Sequence, residues 1–205
     1  MAEVGLAVAA YLLGAIPFGL LIAQIGAGVD LRRVGSGNIG ATNVLRAVGK
    51  RAAAVTLVLD LAKGVLAVAI ARALGVSALG LALVTVAAVG GHVFPVFLCF
   101  RGGKGVATTL GVVLAAMPVV GLVLLLIWLV VAVVWRYSSL AALSAVTALP
   151  VLAYFLDGRP ALVTASGVLA GLVVARHHEN IARLWRGTEG QIGQRAMSPN
   201  RAKVP

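Results

Sequence analysis

The sequence predicts an all-α polytopic membrane protein with seven transmembrane helices, its N-terminus outside and its C-terminus in the cytoplasm. Three observations carry this prediction. Of 205 residues, 61% are apolar and only 11% charged, with mean hydropathy +1.06, whereas a soluble domain carries about 25% charged residues. The apolar residues gather into runs long enough for a bilayer crossing, which takes roughly 20 residues per helix. The Lys and Arg residues fall almost wholly in the connections between the runs.

The runs cover residues 4–27, 52–71, 76–100, 105–135, 140–156 and 161–175. The first is of full spanning length from the outset, so no cleavable signal peptide is expected. The fourth is ambiguous. Its 31 residues make about 46 Å of helix, too long for one comfortable crossing, and they include Pro118, which disrupts a helix interior. Charge resolves the count. If this run crosses once, eight Lys/Arg lie on each side of the membrane. If it turns near Pro118 and crosses twice, fourteen lie on the side of the residue 30–51 loop and only Arg72 and Arg159 on the other, Lys63 being inside a span. Cytoplasmic loops concentrate Lys and Arg, so the run crosses twice and the helices number seven. Residues 1–192 then form a single integral membrane domain and 193–205 a basic cytoplasmic tail. The net charge of +11 follows from the same bias, and no nucleic-acid partner is expected. The single Cys99 leaves no internal disulfide and no cysteine metal pattern.

With seven spans, the three most polar segments face the cytoplasm together and can form one site. The first, "GSGNIGATNVLR", begins Gly35-x-Gly37-x-x-Gly40, the lettering of a dinucleotide-binding loop. That loop requires a preceding strand and a following helix in a βαβ unit, and none fits here. The physical content survives: small residues admit an anion close to the backbone, Ser36, Asn38, Thr42 and Asn43 add hydrogen bonds, and Arg46 adds a charged fork.

The second segment, "FRGGKGVATTLG" (100–111), places Gly102, Gly103 and Lys104 at the start of a helix, whose unpaired N–H groups and positive dipole favour phosphate. It is not a Walker A loop, because Leu98 and Gly105 stand where a Gly and a Ser/Thr are needed. His92 and Pro95 lie just before it. The third segment, "RHHENIARLWRGTE" (176–189), sets His177 and Asn180 on one helical stripe with Arg176 and Arg183 beside it. Its adjacent histidines lack the spacing of two ligands on one helix face, and no metal is expected. Asp60 and Lys63 are charged residues deep in a span. Such residues are functional candidates, but at i, i+3 they can neutralise each other, and the pair is read as structural.

These three segments together strongly resemble the cytoplasmic motifs of the bacterial acyl-phosphate:glycerol-3-phosphate acyltransferases, the PlsY family. Supporting similarity in "YLLGAIPFGLLIA" and "LDLAKG" extends the resemblance from Tyr11 to Glu189. The resemblance implies seven transmembrane helices in a bacterial inner membrane, a cytoplasmic active site, and a monomer without cofactor. It implies transfer of a fatty acyl group from acyl phosphate to the 1-hydroxyl of glycerol 3-phosphate. It assigns Ser36, Arg46, Lys104, His177 and Asn180 as catalytic. Substrate binding falls to Gly35, Gly37, Asn38, Gly40, Thr42, Asn43, Gly102, Gly103, Gly105, Thr108, Ser139, Arg183 and Glu189. One departure stands out: the family's serine-rich stretch after the fifth helix is here "SSLAAL", with Ala141 and Ala142 in place of hydroxyls.

The residues fit this chemistry on their own terms. Both substrates carry phosphate, and two cationic, glycine-rich segments lie on one membrane face. Acyl phosphate has a good leaving group and needs orientation and charge stabilisation more than a covalent relay; no catalytic triad is visible. A transporter would need polar lining along its pathway, which most spans lack. A non-enzymatic lipid-binding protein would not require His177 and two phosphate sites together.

Overall fold

A computed structural model describes residues 1–194; the basic tail therefore lies outside the described residues, apart from Gly193 and Gln194. Ten α-helices occur among the described residues: α1 (Ala2–Gly14), α2 (Phe18–Ala27), α3 (Ala41–Ala47), α4 (Lys50–Ala73), α5 (Ala78–Val93), α6 (Val106–Ala116), α7 (Pro118–Trp135), α8 (Ser138–Leu156), α9 (Pro160–Arg176) and α10 (His178–Trp185). Five helical stretches are long and apolar enough to cross a membrane: Ala2–Ala27, Lys50–Ala73, Ala78–Leu98, Pro118–Trp135 and Ser138–Leu156. The α9–α10 pair, bent by 59°, makes a sixth if counted as one broken span. α6 is apolar but has only 11 residues.

The ambiguous fourth run breaks where its proline predicts. Met117 leaves helical geometry (φ −138°, ψ 75°), and Pro118 starts α7 at its first turn, where a missing N–H costs nothing. α7 then packs back against α6, and Gly121 sits so close that a Cβ there would lie 2.7 Å from the Leu114 Cα. The lone carbonyls at the C-terminus of α6 have partners from two other elements. Arg72 Nη1 donates to the Ala115 carbonyl at 2.7 Å, and Arg159 Nη2 to the Ala116 carbonyl at 2.8 Å. These two arginines are the ones that the sequence sets apart from the other fourteen.

Small residues bring the helix backbones together, the usual device where lipid supplies no hydrophobic drive. α1 and α5 interlock at Gly14 and Gly91, where a Cβ would fall 2.0 Å from the Ala88 and Tyr11 carbonyl oxygens. α4 and α6 do the same at Gly64 and Gly111, against Thr108 and Leu61. The contiguous core runs through Val68, Val89, Val93, Val112, Leu149, Leu169 and Val173. Outward-facing Leu122, Val133, Val151 and Phe155 stay exposed, as a lipid-facing surface requires. A second, smaller core of Leu20, Ala23, Leu31, Ile39, Val44 and Ala53 anchors the chain between α2 and α4 over one end of the bundle. The sequence reading treats that region as a glycine-rich loop; its second half is α3, which carries Thr42, Asn43 and Arg46.

Candidate active site

The first polar segment is organised from within by Asn43. Its Nδ2 donates to the carbonyls of Leu31, Val34 and Asn38 at 3.2, 2.9 and 2.8 Å, and its Oδ1 accepts from the Ser36 N–H at 3.1 Å. The buried Asn43 side chain is thus engaged by the loop itself, whose shape it fixes, and it also lines the cavity described below. Gly35 and Gly37 adopt φ of 63° and 69°, values that L side chains rarely hold; they make the turn and do not line the cavity described below. Arg46, on α3, reaches across the site, and its Nη2 donates to the Gly190 carbonyl at 2.9 Å. Thr42 Oγ1 lies 3.1 Å from Ser138 Oγ at the start of α8.

The second segment differs from expectation at its glycines. The Gly102 and Gly103 N–H groups are already paired with the Val93 and His92 carbonyls at the end of α5, at 3.2 and 3.1 Å, so they are not free to bind phosphate. Their small size serves packing instead. A Cβ on Gly102 would fall 2.2 Å from the His92 carbonyl oxygen, and one on Gly103 2.1 Å from His92 Nε2. The free donors lie one step further on. Gly105, at φ 85°, precedes α6 without a side-chain cap, leaving the first N–H groups of that helix open. Thr108 is also corrected: it is fully buried, and its hydroxyl donates to the Asp60 carbonyl at 3.0 Å.

In the third segment His177 ends α9, with its Nδ1 2.7 Å from the Val173 carbonyl. A carbonyl only accepts, so Nδ1 carries the proton and Nε2 presents a lone pair. Burial, helped by the charge of Lys104 and opposed by the Val173 bond, holds the His177 pKa down to about 4. Asn180 Oδ1 accepts from Lys104 Nζ and its Nδ2 donates to Glu189 Oε1 at 2.7 Å. Glu189 also accepts from Ser139 Oγ at 2.8 Å and Arg183 Nε at 2.7 Å. Burial alone would raise the Glu189 pKa, but these three donors outweigh it and hold the carboxyl below its ordinary value. Arg183 therefore stands behind Glu189, away from the cavity. Lys104 is lowered to about 8, chiefly by burial and then by the nearby Arg183.

A cavity of about 300 Å³ gathers these elements. Its polar part is formed by Ser36, Asn38, Gly40, Thr42, Asn43, Arg46, Lys104, Gly105, Ser139, His177, Asn180 and Glu189, and its apolar flank by Leu57, Leu61, Leu110, Leu125, Trp128 and Leu129. The lining also includes Asp60, His92, Ser138 and Ala142, which the sequence reading does not assign to the site. The sequence reading pairs Asp60 with Lys63 inside a span and sets His92 just before the second segment; Ser138 and Ala142 face the cavity one turn apart on α8. The hydroxyl missing at Ala142 is thus matched by one at Ser138 on the same face.

The sequence matches the Glycerol-3-phosphate acyltransferase family over residues 4–187. The chain belongs to that family. It is 53% identical over 189 residues to a glycerol-3-phosphate acyltransferase of Jannaschia sp., covering 92% of each chain. It is 50% identical over 197 residues to that of Rubrobacter xylanophilus, covering 96% of this chain and 98% of the relative. Its fold matches the crystal structure of PlsY (YgiH), an integral membrane glycerol 3-phosphate acyltransferase, in the glycerol 3-phosphate form. That match has a TM-score of 0.89 and 42% identity and covers 94% of this chain and 96% of that one. The lysophosphatidic acid form of the same enzyme matches with a TM-score of 0.86 and 40% identity, at the same coverage. The protein is an acyltransferase of phospholipid synthesis, all-helical and built as an integral membrane protein.

Proposed function

We propose that this acyltransferase moves a fatty acyl group from acyl phosphate to the 1-hydroxyl of sn-glycerol 3-phosphate, releasing lysophosphatidic acid and phosphate. It does so as a monomer that crosses the bacterial inner membrane seven times, with the α6–α7 hairpin supplying two of the crossings and the site on the cytoplasmic face. The observation that carries this reading is the make-up of one cavity, in which Arg46, Lys104 and the uncapped start of α6 meet a flank of leucines and Trp128. Two phosphates and one acyl chain are the ligands such a cavity suits. The crystal forms of PlsY with glycerol 3-phosphate and lysophosphatidic acid support the acceptor and the product.

In this reading Lys104 and the start of α6 hold the donor phosphate, while Ser36, Asn38 and Arg46 hold that of the acceptor. His177 accepts a hydrogen bond from the attacking hydroxyl through Nε2, and Asn180 orients Lys104. The hydroxyl oxygen forms the new bond to the acyl carbon as the bond from that carbon to the phosphate oxygen breaks. The leaving phosphate gains basicity in that step and takes the hydroxyl proton. With a pKa near 4, His177 is a weak base at neutral pH, so it serves better to orient than to remove a proton.

The test is an acylation assay with purified protein and glycerol 3-phosphate, offering acyl phosphate, acyl-CoA or acyl carrier protein as donor. Lysophosphatidic acid and phosphate in equal amounts from acyl phosphate are expected. Turnover with acyl-CoA alone would overturn the reading.

A further inference from the structure

Beneath the polar cavity three ionisable side chains from α4 and α5 are buried together. Lys63 Nζ lies 3.0 Å from the Ile16 carbonyl, 2.9 Å from His92 Nδ1 and 2.8 Å from Asp60 Oδ1, with all three side chains nearly sealed from solvent. An ammonium has three protons and no lone pair; it donates to the Ile16 carbonyl and is ion-paired with Asp60 Oδ1, which makes no hydrogen bond. His92 Nδ1 must therefore accept, which puts the ring proton on Nε2. Asp60 Oδ1, 3.6 Å from the same Nδ1, is too far to take a proton from it.

The remaining nitrogen of His92 makes no hydrogen bond to protein among the described residues. It lies directly below Gly103, next to Lys104 and the open start of α6, and His92 lines the cavity. We propose that His92 donates its Nε2–H to the donor phosphate. The site would then hold two neutral imidazoles of opposite tautomer: His177 offers a lone pair to the hydroxyl, and His92 offers a proton to the anion. Asp60 and Lys63 are positioning residues that fix this tautomer. The proposal rests on acyl phosphate as donor and adds a binding group that the glycine and lysine motif does not contain.

Two substitutions separate donation to substrate from mere packing. In His92→Asn the amide oxygen reaches the Nδ1 position and keeps the bond from Lys63, but nothing replaces Nε2–H. In His92→Gln the amide nitrogen reaches the Nε2 position and keeps a donor to the cavity. With full-length purified protein, His92→Asn should raise KM for acyl phosphate about 10- to 100-fold, the range of a hydrogen bond to a charged group, and leave KM for glycerol 3-phosphate near the parent value. His92→Gln should recover most of that loss. Parent-like acyl phosphate KM in His92→Asn, no recovery in His92→Gln, or a rise confined to glycerol 3-phosphate would each overturn the proposal.

Should either variant fail to fold, the parent protein with ¹⁵N-labelled histidine answers instead. Titration with inorganic phosphate should shift the Nε2–H resonance of His92, and an unmoved resonance overturns the proposal. The two readings fail separately. A parent protein that ignores acyl phosphate refutes the donor assignment, whereas one that uses it while His92→Asn does so equally well refutes only the role of His92.

Discussion

Asn180 donates to Glu189 at 2.7 Å, and this bond decides which way the Asn180 amide faces. With Nδ2 held by the carboxylate, Oδ1 is turned toward Lys104, whose ammonium it accepts from. Glu189 is itself held by Ser139 and Arg183, so α8, α10 and the segment before α6 are joined through one carboxylate.

Replacing that carboxylate should therefore do damage out of proportion to its position beyond the last helix. Glu189→Gln puts an amide N–H₂ where three donors converge, and at least one bond becomes a donor–donor clash. A lost bond to a charged group amounts to about 1.5–3 kcal/mol, so kcat should fall by ten-fold or more and the detergent melting temperature should drop. Unchanged values for both would show that Glu189 does not tie these elements together.

Activity should have an alkaline limit set by Lys104. Its pKa is lowered to about 8, chiefly by burial, and only the ammonium attracts phosphate, so activity falls as pH rises through about 8. Lys104→Arg stays charged and should lose this alkaline limb whatever its absolute rate. Stability carries the opposite sign. Between about pH 8 and the ordinary lysine value of 10.5 the unfolded chain holds a proton that the folded chain has released, so this residue makes folding more favourable as pH rises. A rate profile that is flat to pH 10 in the parent protein would contradict the assignment.

His177→Gln should retain much more activity than His177→Ala. The glutamine carbonyl can accept from the substrate hydroxyl as Nε2 would in the proposed mechanism, although it cannot act as a base. Because the His177 pKa is near 4, the parent rate should show no inflection near pH 6.5. Equal inactivity of both variants, with folding and substrate binding intact, would restore a general-base role.

Gly103→Ala should impair the reaction by displacing His92. The added methyl would meet the imidazole at 2.1 Å, and the ring is pinned from the other side by Lys63. A raised acyl phosphate KM accompanied by a lower melting temperature is expected; the same change in KM with stability untouched would favour direct obstruction of the ligand.

Labelling from the two sides of the membrane tests the topology. In a Cys99→Ser background, a single cysteine at Gly158 should react with an impermeant reagent from outside and one at Ser198 only from the cytoplasm. Reaction of Ser198 from outside would refute the seven-span count.

Much of this organisation was legible because it is written locally. Pro118 marks the break between α6 and α7, charge separates Arg72 and Arg159 from the other arginines and lysines, and His177 and Asn180 share a stripe that one helical turn creates. Partnerships between distant helices leave no such trace. Nothing near Gly102 and Gly103 indicates that they pack against His92, and nothing near Thr108 announces the Asp60 carbonyl that holds it. Asn43 and Ser36 look alike as polar loop residues. Only the fold shows that the Asn43 side chain is taken up by its own loop, whereas Ser36 joins that network through its backbone N–H.

The shortness of α6 also sets a depth. Eleven residues rise about 16 Å, roughly half of a 30 Å hydrocarbon layer, and Arg72 and Arg159 tether the far end of the helix to one boundary. In the proposed seven-span topology the opposite end, where the cavity begins, sits well below the cytoplasmic headgroup plane. A water-soluble reactant must descend to it, while a lipid-borne one need hardly rise. Under the proposed function the new ester would form close to the level at which its chain already lies, and the product would enter the leaflet without its tail crossing water.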